Sequence, residues 1–309
     1  MNSPARVPKI CVVGSSIMDL VTYATRLPKL GETLPGTAFV TAFGGKGANQ
    51  AVMASQLAAD VSIVSKVGRD AFGDDYVARF HEFGIDAAQV SRSTSASTGI
   101  AAIGVDSSGA NAIIVVPGAN DELSVADVTQ AAAAITDADA LICQWEVPLD
   151  AVATALQIAR DAGVLTVFNP APARAELDDA LCALVDVLCP NESEAEALTG
   201  RAIATIDDAE VAARTLCARG ARTVVITLGE RGALVVDAVG ARLHAAPIVN
   251  PVDSTGAGDA FVATMATMLA AGHAIDDAVL TAVEIASASV QHRGTQTSYP
   301  DLRATPPWR

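Results

Sequence analysis

Along the chain, short runs in which apolar residues occupy both parities alternate with longer stretches whose apolar positions recur every three to four residues. The short runs are KICVVG (residues 9–14), VSIVSKVG (61–68), ALICQWE (140–146), VLTVFNPAP (164–172), VDVLCPN (185–191) and RTVVITLG (222–229). Strands apolar on both faces belong in a parallel sheet covered by helices on each side. The intervening periodicity predicts helices at Gly47–Ala58, Asp70–Phe83, Ser124–Ile135, Pro148–Ala162, Ser193–Leu198, Asp207–Arg219, Gly256–Ala271 and Ile275–Ser289. Repeated βαβ units of this kind predict an α/β fold, a three-layer αβα sandwich around a mainly parallel sheet, as one domain over residues 1–309.

Two portions break the rhythm. Val21–Phe43 and Thr98–Asn120 carry alternating runs with Gly, Pro and DSSG turn signals, which read as hairpins. Neither is long enough for a domain, so the expectation is that they pair into a small β-sheet lid over residues 21–43 and 98–120.

Charge narrows the chemistry. Lys and Arg number 20 against 35 Asp and Glu, a formal charge of −15, which leaves no basic surface for a nucleic-acid backbone or an anionic membrane. A phosphorylated ligand would have to meet local positive potential instead, from main-chain N–H groups, helix N-termini or a metal ion. The five cysteines are scattered without a C-x-x-C pair, and Cys11 and Cys143 lie inside strand-like runs, as buried reduced thiols would. The four histidines have no zinc-ligand spacing. MNSPARVPK lacks the apolar core of a signal peptide, so the expected compartment is the cytoplasm.

Candidate chemistry gathers after the strands. In NPVDSTGAGDAF (250–261), two acids flank small turn residues at the mouth of an apolar helix. Capping alone accounts for such residues; an anion site at a helix N-terminus accounts for them equally. FGGKGANQA (43–51) is a glycine-dense turn entering a helix, with Lys46 and Asn49 as polar heads. It matches neither a Walker A loop nor G-x-G-x-x-G, and reads as a tight turn or as backbone that lets a small polyol approach. In PNESEAEALTG, Asn191 and Glu194 have capping-box spacing, and the same geometry aims oxygen donors suited to hydrated Mg²⁺ at the sheet's carboxyl edge. GSSIMD places Asp19 after the first strand at the sheet's carboxyl end, where it reads as a site acid or as a plain surface turn acid; Glu146 follows ALIC, and TLGERG ends a later strand.

In this order GGKGANQA, NPAPA, PNESEAE and VDSTGAGDAF resemble the signatures of the ribokinase family, the PfkB carbohydrate kinases, over nearly the whole chain. The closing RGTQTSYP is similar to the tail of its ribokinases and deoxyribokinases. The resemblance implies ATP-dependent phosphorylation of a pentose: D-ribose at its 5-hydroxyl first, 2-deoxy-D-ribose as the alternative, with a non-catalytic sugar-binding regulator as the remaining reading. It implies that Asp259 is the base and that the main-chain amides of Gly256, Ala257 and Gly258 form an anion hole. Asp19, Gly44, Gly45, Lys46, Asn49, Glu146 and Asp259 would then contact the sugar, with Ala101 and Ile103 facing it from the lid. Asn191 and Glu194 would organise phosphate, water and Mg²⁺, and Thr227, Gly229 and Gly258 would lie along ATP. It further implies a K⁺ site at Asp253, Thr255, Ser289, His292, Gly294 and Ser298, and a homodimer joined through the lids. One departure stands out: Ile17 occupies a position where many ribokinases have Asn, two residues before the first sugar-binding Asp.

Overall fold

The computed structural model describes residues 6–175 and 177–309; the reading of MNSPARVPK lies partly outside them. Thirteen strands form two sheets. The large sheet contains β1 (Lys9–Val13), β4 (Asp60–Val67), β5 (Asp86–Arg92), β8 (Ala140–Gln144), β9 (Leu165–Asn169), β10 (Val187–Leu188), β11 (Thr223–Thr227), β12 (Ala233–Val236) and β13 (Ala241–His244), in the order β13-β12-β11-β10-β9-β8-β1-β4-β5. All neighbours from β11 to β5 run parallel, and the β11-β12-β13 end is antiparallel. The chain leaves β1 towards β4 on one side and later returns to β8 on the other. The crevice at their carboxyl ends is therefore the topological switch point, where open α/β sheets hold ligands.

Helices α1 (Lys46–Gln56), α2 (Ala71–Glu82), α9 (Ala257–Ala270) and α10 (Ile275–Ser289) bury one core against the sheet. The second core lies on the opposite face, under α3 (Val125–Gln130), α4 (Ala132–Thr136), α5 (Leu149–Ala162), α6 (Asp179–Cys182), α7 (Glu192–Thr199) and α8 (Ile206–Ala218). Strands buried on both faces follow from this sandwich: every residue of β8 is inaccessible, Cys143 included, and β1 is buried from Ile10 through Cys11 to Val13.

Several local expectations change. Ser124–Ile135 is two helices, because Ala131 takes a φ of −83° and ψ of 4° that ends the α3 ladder. VDVLCPN contributes only Val187–Leu188 as strand; Pro190 has no N–H to donate, and Asp186 turns its carboxylate to Thr166. The strands β5, β12 and β13 at the two ends of the sheet are additions to the expected set, their polar or very short patterns being weak strand signals.

The small sheet has the order β3-β2-β6-β7, from β2 (Ile17–Tyr23), β3 (Ala38–Gly44), β6 (Gly99–Val105) and β7 (Asn111–Val116). Two antiparallel hairpins join through a parallel β2-β6 pair. Strand β2 begins at Ile17, so Asp19 is a strand residue and the turn assignment is corrected: the run reverses only at Gly14–Ser16. Two side chains pin the root of this sheet. Asn120 accepts from the Ser16 N–H at 2.8 Å and donates to the Ser16 carbonyl at 3.0 Å, and the Tyr76 hydroxyl meets the carbonyls of Ile17 and Gly44.

Candidate active site

Five segments converge over the carboxyl ends of β1, β8, β9, β10 and β11. Between β1 and β8, Glu146 accepts from the Ser15 hydroxyl at 2.5 Å and from the Lys46 N–H at 2.8 Å. That pair of bonds ties the first turn of α1 to the switch point. Gly47 has to be glycine there: a Cβ would stand 2.5 Å from the Ser15 nitrogen and 2.6 Å from the Gly14 carbonyl carbon.

Helix α9 brings Asp259. Gly256 begins it in the left-handed region (φ 79°), which only glycine adopts freely, and Asp259 sits in the first turn at 6% exposure. Buried carboxylates need partners. Asn49 Nδ2 donates to Oδ2 at 2.9 Å and Gln50 Nε2 to Oδ1 at 3.0 Å. Both donors lie in α1, whose residues Gly47–Gln56 are all buried. Asn49 and Gln50 are consecutive polar residues in that covered helix, and the carboxylate of α9 is what they face.

Lys46, at the start of α1, lies among acids. Burial works against its charge, yet the carboxylates of Asp259, Glu146 and Glu194 outweigh burial and hold the ammonium above its ordinary value. Glu194 is 5% exposed, and burial carries it above the usual carboxylate range despite the Asn191 N–H and Lys46. Asn191 and Glu194 form a reciprocal capping box at the start of α7, the side chains bonding each other's main-chain N–H at 2.8 and 2.9 Å. The capping reading and the ligand reading are thus compatible, because Glu194 Oε2 serves the cap and Oε1 makes no protein hydrogen bond among the described residues.

The small sheet supplies the opposite wall. Directly paired residues share a face, so Asp19 lies with Ala42 and Ala101, and its neighbours on that face are Ile17 beside Gly44 and Gly99, and Val21 beside Val40 and Ile103. Asp19 folds over Gly44, where a Cβ would stand 2.5 Å from Oδ2. Burial, with the Glu146 carboxylate adding to it, pushes Asp19 up to about 6. Ile17 is buried one step along the same row.

Beyond α9 lies a trough of about 780 Å³. Thr227, Gly229 and Arg231 line one side, Pro247, Ile248 and Val249 another, and Val283, Ala286 and Val290 of α10 and its exit a third; Ala257 and Gly258 close the end next to Asp259. Its apolar walls and its helix N-terminus suit a flat heteroaromatic ring carrying phosphates. Of the residues singled out for a monovalent cation, Asp253, Thr255 and Gly294 are hydrogen-bonded together. Asp253 accepts from the Thr255 N–H and hydroxyl at 3.0 and 2.7 Å and from the Gly294 N–H at 3.0 Å; the Val290 carbonyl accepts from Val252 and Asp253. Ser289 and Ser298 are buried nearby in sequence, donating to Ala286 and Thr295 carbonyls, while His292 is exposed.

The residues not anticipated are amides and their supports: Gln50, Gln144, Asn169 and Gln296. Gln50 and Gln296 lie inside the quoted stretches GGKGANQA and RGTQTSYP, so a polar residue buried in a glycine-rich motif was the available signal.

Comparison with known proteins identifies the family. The family described as pfkB family carbohydrate kinase matches residues 7–302. A ribokinase of Mus musculus is 43% identical over 307 residues, covering 96% of this chain and 93% of that one. A deoxyribokinase of Salmonella typhi is 38% identical over 294 residues, covering 95% and 96%. The structure of Arabidopsis thaliana ribokinase complexed with ribose and ATP superposes with a TM-score of 0.89 at 29% identity, covering 97% of each chain.

Proposed function

The chain belongs to the pfkB family of carbohydrate kinases and is an ATP-dependent sugar kinase, and from that premise we propose that it phosphorylates D-ribose at the 5-hydroxyl to give D-ribose 5-phosphate. The observation that carries this reading is the buried Asp259 carboxylate, held by two amides at the N-terminus of α9 and adjoining the trough. Mg·ATP, when bound, supplies the phosphoryl group.

The roles follow from position. Asp259 accepts the proton of the attacking hydroxyl as the new P–O bond forms, and needs alignment more than basicity. The N–H groups of Gly256, Ala257 and Gly258, with the α9 dipole behind them, stabilise charge on the transferring group. Asp19, Glu146, Lys46 and Asn49 bond the sugar hydroxyls, the close approach being allowed by Gly44 and Gly45, while Ala101 and Ile103 exclude water from the lid side. Glu194 Oε1 and Asn191 orient the metal's water shell, and Thr227 and Gly229 lie along the nucleotide. Asp253, Thr255, Ser289, His292, Gly294 and Ser298 would hold a K⁺ ion, which when bound would serve as an activator by adding positive charge near the anion hole.

The sugar is tested by ADP release with Mg·ATP and K⁺, comparing D-ribose with 2-deoxy-D-ribose. The expected result is a ribose preference of about tenfold or more in kcat/KM, the value of one satisfied hydroxyl. A reversed preference would assign 2-deoxyribose and make Ile17 the residue that selects it, since its apolar side chain offers a hydroxyl no partner.

Asp19 gives a pH signature. With its carboxyl raised to about 6, the acceptor form is lost as pH falls through that value. KM for ribose is therefore expected to rise about tenfold between pH 7 and pH 5, and the rise disappears in Asp19→Asn. A KM flat across this range in the parent enzyme would remove Asp19 from the sugar contacts. For folding the sign is opposite: a folded value above the unfolded one means that ionising Asp19 costs stability, so the sugar-free protein loses this contribution as pH rises from about 4 towards 6.

The small sheet ends in a fully exposed edge strand, β7, with Ile113, Ile114, Val115 and Val116 at 46–70% exposure. An apolar free edge is a template for a second chain. The lids of two copies are proposed to cover each other, and sedimentation should give a dimer that Ile114→Lys converts to monomer. A parent protein that is monomeric and fully active at nanomolar concentration would remove this proposal.

A further inference from the structure

We propose that Gln296 and Arg79 are positioning residues for phosphoryl transfer, which orient the Asn49 carboxamide so that its N–H, and not its oxygen, meets the Asp259 carboxylate. This rests on the reading of Asp259 as the base.

A carboxamide is nearly symmetric in shape, and packing alone does not decide which end faces a neighbour. Turned one way, Asn49 donates to Asp259; turned the other, it sets oxygen against carboxylate. Direction has to be imposed by a group that can only donate or only accept. On the Gln50 side that group is a main-chain carbonyl. The Cys189 carbonyl accepts from Asn169 Nδ2 at 2.8 Å, which leaves Asn169 Oδ1 to accept from Gln50 Nε2 at 3.3 Å; Gln144 Nε2 donates to Gln50 Oε1 at 2.5 Å and fixes the same orientation. The Gln50 N–H₂ group is thus turned towards Asp259 by the sheet itself.

On the Asn49 side the director is a cation. Arg79 Nε, which can only donate, reaches Gln296 Oε1 at 3.4 Å. Gln296 Nε2 must then face Asn49, and it donates to Oδ1 at 3.2 Å, which turns Asn49 Nδ2 to Asp259 Oδ2 at 2.9 Å. Gln296 is 4% exposed, and its partner Asn49 is 247 positions away, so the closing turn of the chain is inserted to complete this row. Arg79 is itself held in place: its guanidinium lies 4.3 Å from the Phe83 ring centroid and 5.2 Å from that of Phe43, with Glu82 at 2.9 Å. Phe43 belongs to β3, so the row begins where α2 meets the small sheet and ends on the carboxylate. Unlike the Gln50 arm, this one consists only of side chains and contains its two longest bonds at the Arg79 end, so its alignment depends on Gln296.

Gln296→Glu tests this with little change of shape. The carboxylate keeps its partner in Arg79 but cannot donate to Asn49, which is then driven to reverse. The expected result is a kcat lower by about tenfold to a hundredfold, with a thermal midpoint close to the parent's and a loss of ribose affinity by calorimetry smaller than the loss of kcat, Asn49 being one of several proposed sugar contacts. In an Asn49→Ala background, the same substitution should change kcat less than about twofold, because its effect passes through Asn49. Gln296→Met, which also lacks the donor, should reproduce the loss if Gln296→Glu does not fold. An unchanged kcat in both variants, or a loss of equal factor with and without Asn49, overturns the proposal. Asp259→Asn run alongside separates the two ideas: if it keeps turnover, the base assignment has failed; if it is inactive while Gln296→Glu is fully active, only the positioning role has.

Discussion

Asp259→Asn is expected to lower kcat about a thousandfold while ribose still binds. The substitution preserves shape and removes the buried carboxylate in the first turn of α9 that is proposed to take the proton. The sugar contacts proposed for Asp19, Glu146 and Lys46 are untouched, so calorimetry should show an affinity within a few-fold of the parent. Locally, both Asn49 and Gln50 donate to Asp259. A carboxamide offers them a single acceptor oxygen, and the donor left facing an N–H₂ group costs about 1–3 kcal/mol. Relief of a buried charge offsets part of that cost, so the thermal midpoint should move by only a few degrees. Turnover within tenfold of the parent would require another base, and the buried carboxylate of Glu194 could serve.

A second substitution should separate activity from stability still further. At Gly258 a Cβ would meet nothing within 4 Å, and the residue lies in the first turn of α9 facing the trough. Gly258→Val is therefore expected to leave the thermal midpoint unchanged or slightly raised, since glycine is a weaker helix former than valine by roughly a few tenths of a kcal/mol. Its activity should fall by about two to three orders of magnitude, the scale of losing one anion-hole donor, because the isopropyl group occupies the space that leads to the N–H groups. Gly256 behaves differently. Its φ is 79°, and a Cβ there would run into Thr295 and the Tyr299 hydroxyl, so any side chain should cost stability before it costs catalysis. A Gly258→Val enzyme with parental kcat would show that phosphate does not approach this face of α9.

Much of the architecture is legible in local pattern. The runs around β1, β4, β8, β9 and β11 are apolar on both parities because each strand is covered on two faces, and the Gly-rich mouth of α9 is visible because an anion-facing helix start needs small residues in a fixed order. The strands at the two ends of the large sheet are the counterexample. Segment β5, half covered, and the short hairpin β12-β13 have no periodicity long enough to read.

Candidate chemistry divides along the same line. Asp259, Lys46, Glu194 and Glu146 declare themselves because each follows a strand or opens a helix. Asp19 is visible as an acid but not as a strand residue, since only pairing with Ala42 and Ala101 shows which way it points. Gln50 and Gln296 are polar residues of no distinct local pattern. They acquire meaning from partners 209 and 247 positions away, and no periodicity reports a contact at that separation.

Composition and period thus sufficed for the class of fold, and the order of the glycine-rich motifs for the family resemblance. The direction of each buried amide, the side of the sheet on which Asp19 lies and the row from Arg79 to Asp259 exist only once the layers have packed. The reason is physical: secondary structure answers to neighbours within a few residues, whereas a hydrogen bond in a dry interior is set by whichever donor or acceptor the fold brings within about 3 Å of it.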